Sequence, residues 1–96
     1  MKVIKSDGRY NFYRLGFTVI MEYQVKRSAV EQKAYRDAVK VLDTRYGPIR
    51  NQVPGQHFKY TMNENYRVQL MSDGKRRRIY LRDEAEVTLI LLMVGA

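Results

Sequence analysis

From Tyr13 to Val25 the chain alternates. Tyr13, Leu15, Phe17, Val19, Met21, Tyr23 and Val25 put an apolar side chain at every odd position, while Arg14, Gly16, Thr18, Glu22 and Gln24 hold the even ones, with Ile20 as the exception. A period of two over this length predicts a half-buried β-strand across 13–25, with one side toward a core and the other toward water. Gly16 reads as a bulge or bend within that strand, because it has no side chain to pack.

The period then changes. Val30, Ala34, Ala38, Val41 and Leu42 recur at helical spacing. Ser28 and Glu31 form a capping box, in which the serine oxygen accepts from the third helical amide while the glutamate reaches back. Gly47 and Pro48 end the run, the first by tolerating a left-handed backbone and the second by lacking an amide hydrogen. A helix over about 29–46 follows, with Lys33, Arg36 and Lys40 in one stripe on its exposed side. Residues 49–56 read as a loop. "HFKYTM" and "YRVQLM" alternate again around Asn63-Glu64-Asn65, which predicts that these two segments form an antiparallel hairpin. Ser72-Asp73-Gly74 turns the chain into a further strand at about 76–82 with Ile79 and Leu81 inward.

The C-terminal stretch "RDEAEVTLILLMV" admits a fully buried strand, given Val87, Thr88, Ile90 and Val94, or a helix. The helix is preferred: Asp83 is a good N-cap, Glu86 stands at the third helical position, and negative charge suits the positive end of the helix dipole. The expected order is β-α-β-β-β-α. That is an α+β fold, a single two-layer domain over 1–96, with an antiparallel sheet carrying the long helix and a short C-terminal helix on one face.

Composition narrows the chemistry. Ninety-six residues, 45% of them hydrophobic, suffice for one core without staples. Without cysteine there is no disulfide framework, thiolate metal site or cysteine nucleophile. Residues 1–10 lack the apolar run of a signal peptide, and the longest apolar run, 87–94, is far short of a membrane span. A cytoplasmic protein without a membrane partner is expected, monomeric if 87–94 is buried and dimeric if it is exposed. The single histidine, His57, lies on the polar phase of a strand, and Ser28 is committed to a cap, so no Ser–His–acid arrangement and no enzymatic activity are expected. Asp83, Glu84 and Glu86 form the one tight acidic cluster, but capping explains them, and no metal site is assigned. No phosphate-binding glycine loop is present, so no cofactor or small-molecule substrate is implied.

The charge is the deviation. Eighteen Lys and Arg against ten Asp and Glu leave a net +8, which favours polyanionic partners. If the odd positions of 13–25 face the helices, the opposite sheet face carries Arg14, Thr18, His57, Lys59, Thr61, Arg67, Gln69, Arg76, Arg78, Tyr80 and Arg82, together with Ile20. The residues expected to hold nucleic acid are therefore Lys59, Arg67, Lys75, Arg76, Arg77, Arg78, Tyr80 and Arg82. Lys33, Arg36 and Lys40 supply a second basic stripe. Guanidinium groups grip phosphates and Tyr80 offers a stacking surface. Solvation alone also accounts for charges on an open sheet face, and a basic hairpin tip guards against edge pairing. The expected function is non-enzymatic nucleic-acid binding through phosphate contacts. The alternative is a protein–protein module, a regulator or inhibitor, docking its basic surface on an acidic or nucleic-acid-handling protein. A third class self-associates through 87–94.

Overall fold

Both helices form where their capping residues place them. A computed structural model describes residues 1–56 and 60–95. Helix α1 spans Ala29–Tyr46, with the Ser28 hydroxyl accepting from the Glu31 amide at 3.1 Å. Gly47, at φ 88°, ends it, its amide donating to the Asp43 carbonyl. The ambiguous C-terminal segment is helical: α2 spans Glu84–Val94, and Asp83 caps it by accepting from the Glu86 amide at 3.2 Å. Such caps satisfy amides that the first turn leaves without partners.

The strands are β1 (Lys2–Lys5), β2 (Val19–Gln24), β3 (Arg50–Gln52), β4 (Tyr60–Met62), β5 (Tyr66–Leu70) and β6 (Arg76–Leu81). Four of them make an antiparallel sheet in the order β1-β2-β6-β5, and β3 and β4 make a separate two-stranded ribbon. The α+β layout holds, with an antiparallel sheet and both helices on one face. Two strands, β1 and β3, join the expected ones. The "KVIK" of β1 is too short to show a period, and β3 lies in the stretch read as a loop.

The main core lies under the helices. Val19, Met21 and Tyr23 of β2, with Ile79 and Leu81 of β6, pack against Tyr35, Ala38 and Leu42 of α1 and Val87 and Ile90 of α2. Val30, expected on the inner stripe of α1, is 79% exposed; Ala38 and Leu42 of that stripe are buried, and Tyr35 joins them, the three spaced three and four residues apart. The Tyr46 hydroxyl donates to Glu86, tying the end of α1 to the start of α2.

Two expected elements differ. Only Val19–Gln24 of the 13–25 segment is strand; Tyr13–Leu15 is a single 3-10 turn, flanked by Phe12 and Gly16 in left-handed backbone at φ 65° and 93°. Gly16 is more than a bulge: a Cβ there would lie 2.7 Å from Nη1 of Arg82. The turn folds the preceding loop back over the sheet, where Phe17, Ile20 and Tyr80 form a second small core with Ile4, Tyr10 and Phe12. The hairpin expected between "HFKYTM" and "YRVQLM" does not form. β4 pairs with β3, and β5 with β6. Asn63 diverts the chain: its side-chain amide donates to the carbonyls of Tyr46, Gly47 and Pro48, and its oxygen accepts from the Asn65 amide. Among the described residues, no helix is long and apolar enough to cross a membrane.

Candidate functional site

The pleat of β6 sorts four consecutive basic residues. Directly opposed residues of an antiparallel pair share a face, and the register sets Arg78 against Glu22, Arg77 against Tyr23, and Arg76 against Gln24. Arg78 Nε donates to Glu22 Oε2 at 2.7 Å, and Nη1 of Arg76 lies 3.6 Å from the same oxygen. Arg76 Nε also reaches Asp73 at 2.8 Å. Both arginines are thus occupied around a nearly buried carboxylate. Burial pulls the Arg78 pKa down, but the hydrogen bond and charge of Glu22 outweigh it and leave it above the ordinary arginine value. Hydrogen bonds from the Lys75 amide and the Arg76 side chain hold the Asp73 carboxyl below the usual carboxylate value.

Arg77 points the other way, its guanidinium 5.4 Å from the Tyr35 ring centroid on the helix side. Lys75 sits in the turn, and its carbonyl accepts from the amides of Val25 and Lys26 at 3.0 and 3.4 Å. Those two bonds bring the β2–α1 turn, with Lys26 and Arg27, against the hairpin tip. Among the described residues, Lys26, Arg27, Lys75 and Arg77 form no ion pair. Arg36, next to Tyr35 on α1, lines a groove with Val68 of β5, and Lys40 one turn on lines the same groove. Val68 and the neighbouring Tyr66 pair with Ile79 and Leu81, so the helix stripe leads along the sheet away from the hairpin tip, and Asp43 lines the same groove. Lys33 contributes less, because it pairs with Asp37 at 2.8 Å.

The rest of the expected sheet-face site does not assemble. Tyr80 is 0% exposed: its hydroxyl donates to Gln69, and Phe12 stands edge-on to its ring with centroids 4.9 Å apart. It therefore presents no surface for a base. Arg82 donates to the carbonyls of Glu64 and Leu15 at 2.7 and 2.8 Å and stacks on Phe17 at 4.5 Å. Arg67 lies over the same ring at 5.2 Å, its pKa lowered by burial and by the like charge of Arg82. These two arginines brace the loop over the sheet rather than facing an open groove. Lys59 and His57 lie outside the described residues.

Lys26 and Arg27 are the site residues that sequence reasoning missed. Their signal was a basic pair directly before the Ser28 cap, but only the strand register shows that it meets Lys75. The acidic cluster at 83–86 behaves as capping: Asp83 accepts from the Glu86 amide, and Glu86 accepts from Tyr46. No group of three potential ligands suited to a metal ion occurs among the described residues. Fold and site together define a small α+β domain with a cationic end. No protein-family model, curated protein or solved structure matches the chain.

Proposed function

We propose that the protein binds nucleic acid through its phosphates at the end of the sheet where Lys26, Arg27, Lys75 and Arg77 meet, with Arg36 and Lys40 extending the surface along α1. The observation that carries this reading is the junction itself: backbone bonds to the Lys75 carbonyl hold two basic segments together, and these four cations have no carboxylate partner among the described residues. Like charges held close raise the local potential, and a polyanion relieves their repulsion while releasing its own counterions. Tyr23 and Tyr35, the aromatics nearest this end, are buried. Base stacking has no platform there, so binding is sequence-independent and gains nothing from unpaired bases.

The test is a titration of labelled duplex and single-stranded oligonucleotides at two salt concentrations. Replacing Lys26, Arg27, Lys75 and Arg77 together by Ala flattens the log–log salt dependence on duplex by roughly three to four units. A second reading, docking on an acidic protein surface, is favoured by Leu70, which is exposed directly opposite Arg77 and adds an apolar contact to a cationic one. If the wild-type protein binds no oligonucleotide at low salt, the phosphate reading fails and this second one takes its place.

A further inference from the structure

We infer that the free edge of β5 binds an extended peptide of alternating apolar and acidic residues, which adds to the sheet as a further strand. In the order β1-β2-β6-β5, β5 is paired on one side only. The bond from the Met71 amide to the Arg76 carbonyl, at 2.9 Å, fixes the alternation along the β5–β6 ladder. In an antiparallel pair every second residue turns both backbone groups to its partner, so Arg67 and Gln69 bond to β6 while Val68 and Leu70 turn theirs outward. Among the described residues these outward amides and carbonyls have no partner. Unpaired groups in a row along an edge are a template for another strand.

The surroundings of the edge set the sequence it takes. On the helix side a groove of about 360 Å³ lies between α1 and β5, with Val39, Ile49, Tyr66 and Val68 in its lining. The sheet is antiparallel throughout, and antiparallel pairing is the more stable per residue, so the added strand runs antiparallel to β5. Its side chains point alternately to the two faces. Those opposite Val68 and Leu70 face α1 and meet the apolar lining. Those opposite Arg67 and Gln69 face the other way, in the pairs without mutual hydrogen bonds, where side chains come closest. Arg67 forms no ion pair among the described residues and shares the Phe17 ring with Arg82, so a carboxylate opposite it is favoured. Arg36 and Lys40, which line the groove with a single carboxylate, Asp43, add to that preference. A second copy of the chain does not meet it: the edge strands of the main sheet read Tyr-Arg-Val-Gln-Leu in β5 and Lys-Val-Ile-Lys in β1, and neither holds an acidic residue.

The probe is a capped heptapeptide alternating valine and glutamate, titrated against the full chain by fluorescence polarisation. The wild type is expected to bind it, and lysine in place of glutamate to abolish binding. With the valines facing α1, their amides point at β5 and the glutamate amides point to solvent. N-methylation of the valine amides is therefore expected to abolish binding, and N-methylation of the glutamate amides to preserve it. Leu70→Pro removes an outward donor and spares the β6 ladder, as an edge position allows; it weakens binding about tenfold with an unchanged circular dichroism spectrum. Replacing Lys26, Arg27, Lys75 and Arg77 by Ala removes the phosphate site but weakens peptide binding less than Leu70→Pro does, so the two readings fail separately. A wild type that leaves the peptide unbound at about 1 mM overturns the inference. So does equal binding of the two N-methylated peptides, since charge alone then holds them, and so does full binding by folded Leu70→Pro.

Discussion

The two faces of the central sheet are both covered, but by different chemistry. Under the helices, Val19, Met21, Ile79 and Leu81 meet aliphatic and aromatic side chains in a conventional apolar core. On the opposite face, Ile20 and Tyr80 are equally buried, yet their cover is a loop of Tyr10, Phe12 and Phe17, with Arg67, Arg78 and Arg82 stacked on its rings. Arginine does there what leucine does on the other side. Its guanidinium sits over an aromatic ring while its hydrogen bonds go to carbonyls or to Glu22. A high density of cations on one sheet face therefore did not mean a free cationic face.

The largest expected effect sharpens that contrast. Tyr80→Ala costs about 3–5 kcal/mol, comparable to Ile79→Ala at about 2–5 kcal/mol, although the two point to opposite faces. Denaturant midpoints check this, and a silent Tyr80→Ala would mean that the loop side is open after all. Glu22→Ala comes next. It leaves Arg78, 13% exposed, without its carboxylate, and the loss is about 2–3 kcal/mol; the added substitution Arg78→Leu recovers part of it in a double-mutant cycle. A full loss in the cycle would mean that the ion pair contributes nothing of its own.

Alkaline pH separates the helix side. Burial, helped by the charges of Glu31 and Tyr35, pushes the Tyr23 phenol up to about 12. The folded state then holds this proton more tightly than the unfolded chain, whose phenol titrates at about 10. The stabilisation is complete below about pH 10 and is lost as pH rises through about 12. Melting curves between about pH 9 and 12 are expected to fall more steeply for the wild type than for Tyr23→Phe.

The smallest stability effect carries the functional contrast. Arg77→Ala changes stability by less than about 0.5 kcal/mol and removes about one unit of salt dependence on duplex DNA. Arg78→Ala destabilises the fold and moves the salt slope little, because Glu22 already neutralises it. Equal slopes for the two substitutions would show that the pleat does not divide the basic run.

α1, α2 and the β5–β6 hairpin were legible because their signals are local. Ser28, Gly47 and Asp83 act on backbone groups within a few residues, and the Ser72-Asp73-Gly74 turn joins neighbours in sequence. Alternation at Val19, Met21 and Tyr23 likewise identified the helix-facing side of β2. The same alternation over Tyr13–Phe17 misled, because a loop that covers a sheet also needs apolar side chains. What distinguishes it is Gly16, whose left-handed backbone accommodates an arginine sixty-six positions away. The partners of β4 and β5 were set by Asn63 reaching back to the end of α1, a contact that no local pattern encodes. The candidate site divides in the same way. Net charge and the basic run at 75–78 are properties of the chain. Which cations remain unpaired depends on the register that places Glu22 beside Arg78 and carries Lys26 and Arg27 to Lys75. Charge is written one residue at a time, but neutralisation needs two residues in contact, and only the folded sheet brings them together.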